Sequence, residues 1–205
     1  MKRISLICVL CLVVGSLSGQ SLSMDDYYSN QEQQLFGQNR SEGKKESIER
    51  FLMVQMALDT NSILYPYWLG KTYVAHFNAQ PLVNWKRIDY TYFVKGKQLF
   101  EQLAQNDTTA FKPYLAIAEL YFDKIKLILQ SFNFSISKED QDKYVEAAEA
   151  VEQEIPKALV YAKKAEQRHP DYIPTLRLLC EIYACLNDFD TVKRYMKRIE
   201  ILEKK

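Results

Sequence analysis

Acidic side chains recur here at helical spacing. Glu119 and Asp123 stand four apart, and Glu146, Glu149, Glu152 and Glu154 make a second cluster. Carboxylates four apart share one helix face, and such pairs can serve general acid–base chemistry. That chemistry also needs a nucleophile, an electrophile or an imidazole nearby, and neither cluster has one. The chain has only two histidines, His76 and His169, and neither belongs to a metal-spaced pair. It has no glycine-rich phosphate loop, no nucleophile elbow and no H-E-x-x-H segment. Both acidic clusters are therefore read as solvated helix faces. The expectation is a non-enzyme with no cofactor and no metal.

Cys180 and Cys185 lie five apart in "LRLLCEIYACL". At about 3.6 residues per turn they point roughly 140° apart, which a disulfide cannot bridge. They read as small core or boundary residues. The densest remaining group is aromatic: "YPYWLGKTY" at 65–73 holds three Tyr and a Trp. It could line a ligand or fill a core, and the surrounding elements decide between the two.

The N-terminus is set apart. "MKRISLICVLCLVVGSLSGQSLS" has Lys2 and Arg3, an apolar run from Ile4 to Val14, small residues after it, and no acid before Asp25. This is the layout of a secretory signal peptide, and the run is shorter than the roughly 20 residues a membrane span needs. Residues 1–24 are expected to be that leader. The polar stretch 25–43 reads as a lead-in, and 44–205 as one folded domain. The chain is therefore expected to be exported, periplasmic or secreted, and at most peripheral to a membrane. Lys and Arg total 27 against 26 Asp and Glu, a net charge of +1, so nucleic acid is not an expected partner. The N-x-S/T triplets at Asn39, Asn106 and Asn133 matter only in a host that glycosylates its exported proteins.

From Glu46 onward apolar residues keep a helical period. Breaks fall at "NAQP", "NDTT", "SFNFS" and "RHPD". The pattern predicts about seven helices and no strand. Asn61 or Ser62 is expected to cap the second, and Pro113 and Pro174 to open later ones. Ser137 and Asp140 are expected to form a capping box, Pro156 to kink or end its helix, and Asp190 to cap the last.

Three helices share a pattern of aliphatic, small, two variable residues, then Tyr. The triplets are Leu69, Gly70, Tyr73; Ile117, Ala118, Tyr121; and Leu179, Cys180, Tyr183. The helix after each has its own series: Phe93, Gly96, Phe100, Leu103; Ile155, Ala158, Ala162, Ala165; Phe189, Val192, Met196, Ile199. Leu103 to Ile117 and Ala165 to Leu179 are both steps of 14 residues, and Pro170 follows Ala165 by five. On these residues the chain resembles the tetratricopeptide repeat family, whose motif runs W-x2-L-G-x2-Y, then A-x3-F, then P. The likeness covers residues 63–204. Tyr73 to Phe93 exceeds the family's spacing by 14 residues and Tyr121 to Ile155 by 28, so both hairpins are expected to be lengthened. The middle hairpin, tipped by residues 131–140, should project furthest.

The resemblance implies an all-α, right-handed stack of antiparallel helical hairpins, a solenoid with a concave groove. It implies that the "YPYWLGKTY" cluster is mostly packing. It also places Tyr67, Lys71, Glu119, Asp123, Arg177 and Glu181 on the concave face, turned away from the packing and available to a protein or peptide partner. The implied function is an interaction scaffold or adaptor of the bacterial cell envelope. An accessory ligand-binding component of an envelope transport system is the alternative.

Overall fold

The computed structural model describes residues 42–80, 85–107, 109–133 and 141–204. Among them run seven α-helices: α1 (Glu42–Leu58), α2 (Leu64–Asn78), α3 (Thr91–Asn106), α4 (Lys112–Asn133), α5 (Gln141–Arg168), α6 (Ile173–Cys185) and α7 (Phe189–Glu203). One 3-10 turn, Trp85–Arg87, lies between α2 and α3, and no strand occurs among the described residues. The helix count and the fold class follow the sequence pattern.

α2 with α3, α4 with α5 and α6 with α7 pack more extensively than the pairs between them do. These are three hairpins stacked in chain order, with α1 against α2 at the N-terminal end. Each first helix also touches the next first helix, α2 to α4 and α4 to α6. The first helices therefore lie on the inside of the curve, and α3, α5 and α7 lie outside.

Small residues set the spacing within the first hairpin. A Cβ on Gly70 would stand 2.6 Å from Cε1 of Phe100, a fully buried ring on α3. A Cβ on Gly96 would meet the Gly70 carbonyl at 3.4 Å, an ordinary contact. Gly70 is thus the position that closeness requires, and Gly96 is tolerant. In the middle hairpin Ala118 and Ala158 are both fully buried, as the repeat pattern expects. "YPYWLGKTY" is core: Tyr67, Trp68, Leu69, Gly70, Thr72 and Tyr73 are all buried.

Several local expectations are corrected. α2 starts after Ile63, which offers no side-chain cap, so neither Asn61 nor Ser62 caps it. α3, which carries the Phe93 series, begins at Thr91. The extra residues of the first hairpin lie in its connection, and α2 and α3 have ordinary lengths of 15 and 16 residues. Only the middle hairpin is lengthened, with helices of 22 and 28 residues. The two excesses meet: Lys86 of the connection pairs with Glu146 on α5, and Lys124 on α4 lies 4.9 Å from the Tyr90 ring centre. α5 does not end at Pro156 but continues through it. Pro156 and Glu152 are both exposed, so the carbonyl that loses its partner faces water. Buried Ile155 and Ala158 hold the helix on its other side.

The last helix is capped by Asp188, not Asp190. Its side chain accepts from the Thr191 N–H at 3.1 Å. The turn before it closes with Asn187 N–H on Ala184 O and Asp188 N–H on Tyr183 O, both 3.0 Å. Asn187 takes φ 58°, a left-handed geometry that Asn accepts more readily than most residues. On α7 the buried residues are Thr191, Tyr195 and Ile199, while Phe189 and Met196 are exposed. The capping box at Ser137 and Asp140, and residues 134–140 of the expected tip, lie outside the described residues.

Candidate functional site: the inner face of the first helices

The inner face is built from α2, α4 and α6, whose polar positions repeat along the inside of the curve. Lys71 on α2 bonds Glu119 on α4 at 3.2 Å. One turn on, Asn78 donates to Asp123 at 2.6 Å. Lys126 lies 3.9 Å from Asp123 and 3.4 Å from Glu181 on α6. A line of charged and amide groups therefore crosses all three first helices, each bridging to the next. Burial against the neighbouring helices pushes the Asp123 carboxyl above its ordinary value, while the Asn78 hydrogen bond and Lys126 pull it back.

Four of the six residues read from the sequence come together here: Lys71, Glu119, Asp123 and Glu181. Tyr67 does not. It is 2% exposed, with its ring 5.7 Å from both Trp68 and Phe100, so the expectation of a partner-facing Tyr67 is corrected. α2 packs against α1, α3 and α4, which leaves little of its circumference open. Arg177 is exposed but turns to Glu203 of α7, 2.7 Å away, rather than to the inner line. Asn78 and Lys126 were missed. Their signal was spacing: Asn78 is seven residues after Lys71, and Lys126 three after Asp123, each on the same helix face as its partner.

The outer side carries a second construction that sequence reasoning also missed. The repeat-pattern tyrosine of each hairpin sits against a tyrosine of the second helix: Tyr73 with Tyr92 at 5.8 Å, Tyr121 with Tyr161 at 5.9 Å, and Tyr183 with Tyr195 at 6.0 Å. In the middle and last hairpins a glutamate of the preceding second helix accepts from the pair. Tyr161 donates to Glu101 at 2.9 Å and Tyr195 to Glu166 at 3.0 Å. Lys97 and Lys163 neutralise these carboxylates at 3.0 Å. Burial first and Glu49 second push the Tyr73 phenol up to about 12. Burial and the bond to Glu101 do the same for Tyr161, also to about 12. The common offset was visible: Tyr161 and Tyr195 each fall three residues after the small position of their helix, Ala158 and Val192.

Cys180 and Cys185 are free thiols, Cys180 half-buried and Cys185 exposed. Burial and then Glu181 raise both thiols above their ordinary value, which disfavours the reactive thiolate. His76 stacks on Tyr92 at 4.8 Å, and His169 packs on Phe111 at 4.8 Å. Among the described residues no three His, Cys, Asp or Glu side chains are grouped to hold a metal ion, and no helix is long and apolar enough to cross a membrane.

No protein-family model matches the chain, and no curated protein matches it. Solved structures do. A thermophilic TPR protein of Thermus thermophilus, TTC0263, superposes with a TM-score of 0.54 at 15% identity, over 80% of this chain and 68% of that one. MamA aligns over 90% of this chain and 97% of its own at 15% identity, with a TM-score of 0.31. The fold is that of a tetratricopeptide-like helical-hairpin solenoid.

Proposed function

We propose that this protein is a non-enzymatic scaffold that holds a protein or peptide partner along the inner face of α2, α4 and α6. The observation that carries this reading is the continuous line from Lys71 to Glu181, supplied by three successive hairpins. Its ion pairs are partly exposed, and such pairs contribute only about 0.2–1 kcal/mol each. A partner's charged groups can exchange with them at little cost, while the rigid stack keeps them in register. The basic, apolar and small-residue order of residues 1–24 supports export, so the partner belongs to the bacterial cell envelope or the exterior. N-terminal sequencing of protein recovered from the envelope fraction should then begin near residue 25.

The test separates recognition from stability. Exchanging the pair, Lys71→Glu with Glu119→Lys, retains an internal ion pair but reverses the charges displayed. Envelope proteins retained by the original chain should be lost by this double variant while its melting temperature stays unchanged. Equal retention by both proteins would remove the inner face from recognition.

A further inference from the structure

The middle and last seams of the solenoid share their parts and differ at two positions that shape a cleft. Lys157 and Thr191 each stand one residue before the small position of their helix, and Val160 and Arg194 two residues after it. In the middle seam the Lys157 ammonium bonds Glu154 at 3.0 Å and lies 5.9 Å from the Tyr121 ring centre. The last seam has the shorter Thr191 there, and a cleft of ≈ 320 Å³ opens beside Tyr183 between α5, α6 and α7. Arg194 stands at its rim, where the middle seam has the apolar Val160.

The cations of this cleft are not equally engaged. Lys163 and Arg198 both bond Glu166, at 3.0 and 2.9 Å, and Arg198 also donates to Pro170 O at 2.7 Å and lies 3.2 Å from Asp171. Arg194 makes one hydrogen bond among the described residues, to Thr191 Oγ1 at 2.6 Å, and none of their carboxylates lies within 4 Å of it. The Arg194 residue is exposed. The lining holds three cations against Glu166 and Asp188, and Asp171 beside Arg198 supplies a third carboxylate, so what Arg194 offers is open donors and not a surplus charge.

We propose that this cleft binds a carboxylate, gripped by the Arg194 guanidinium through paired N–H···O bonds, with the attached carbon chain against the Tyr183 ring. With Asp171 counted the charges around the cleft balance, so a monoanion adds less unbalanced charge than a dianion. A phosphate dianion would stand beside Glu166 and Asp188 with less charge to balance it. The volume is at the small end for ligand sites and fits a short organic acid or one acidic side chain of a polypeptide. This site is separate from the inner face and stands or falls independently of it.

The test titrates the full chain and its variants with glutarate, with N-acetylated and C-amidated Ala-Glu-Ala, and with inorganic phosphate by calorimetry, and follows the Arg194 Nε–H resonance in the unsubstituted chain. The expected result is a saturable shift with at least one carboxylate probe, at least tenfold tighter than phosphate and weakened at least tenfold by Arg194→Gln. Thr191→Lys, which restores the middle seam's filling residue, should weaken binding as well. Arg194 is exposed, so Arg194→Gln decides the outcome if Thr191→Lys lowers the melting temperature. Tighter binding of the peptide assigns the carboxylate to a polypeptide, tighter binding of glutarate to a small acid, and equal binding limits recognition to the carboxylate itself. Three results would each overturn the proposal: no saturable shift with either carboxylate, an affinity unchanged in Arg194→Gln, or phosphate binding as tightly as the carboxylates.

Discussion

On the inner face Lys71 meets Glu119 at 3.2 Å, with 21% and 37% of their side chains exposed. On the outer side Lys163 meets Glu166 at 3.0 Å, in contact with the phenol of Tyr195, which is 8% exposed. The chemical pair is the same. The inner pair has water as a competitor, whereas the outer pair shares its carboxylate with a phenol and an arginine. Exchange with solvent or a partner is cheap in the first case. In the second, removing one member leaves the shared Glu166 carboxylate, 15% exposed, and the buried Tyr195 short of a partner. The same ionic vocabulary can therefore present a surface on one side of a solenoid and lock its repeats together on the other.

The sharpest way to break that comparison is at the outer seam. Tyr195→Ala should destabilise the fold by about 3 kcal/mol, the usual range for truncating a buried aromatic, as read from urea unfolding. A loss below about 1 kcal/mol would show that the seam is as dispensable as the surface. Next in size is Gly70→Ala, whose methyl must displace the Phe100 ring; about 1–2 kcal/mol should be lost even after the helix gains from alanine. Gly96→Ala should change stability by about 0.5 kcal/mol or less. Equal effects at both glycines would contradict the geometry.

Tyr161→Phe should cost about 1 kcal/mol by removing the donor to Glu101. Its pH dependence adds a sign. The folded-state phenols of Tyr73 and Tyr161 sit at about 12, above the ordinary 10.0, so their contribution is fully present below pH 10.0. It is lost as pH rises through about 12. Absorbance titration should show late-ionising tyrosines, and Glu101→Gln should bring Tyr161 back toward the ordinary value. The smallest expected effect is on the inner face. Lys71→Ala should alter stability by only about 0.5 kcal/mol in either direction, and a loss above about 2 kcal/mol would make that pair structural.

The repeat, the helix count and the packing residues were legible in the sequence because they follow local period. Leu69, Gly70 and Tyr73 share one helix face, and the same face recurs in two later helices. Features set by what a helix packs against were less legible. Tyr67 reads as outward from its own helix, yet its ring is buried beside Trp68 and the α3 residue Phe100. Pro156 reads as a break, yet its solvent-side position lets α5 continue. Phe189 and Met196 read as core by periodicity, yet both are exposed on α7. An insertion length fixes how many residues are added and leaves open where they go. The added 14 became a connection in one hairpin and the added 28 became mostly helix in the next. The inner line was legible in part: Lys71, Glu119, Asp123 and Glu181 follow from repeat register. The bridging Asn78 and Lys126 depend on how closely neighbouring first helices approach, which no single helix encodes.

The central claim is that a partner docks on the inner face. It is tested most directly by placing a photo-crosslinking amino acid, one site at a time, at Lys71, Asp123 and Glu181, and at Glu152 and Lys193 outside. Irradiation in the native envelope, followed by mass spectrometry, should give one common protein from the three inner sites and not from the two outer ones. The same protein captured only from Glu152 and Lys193, or equally from all five sites, would contradict the claim.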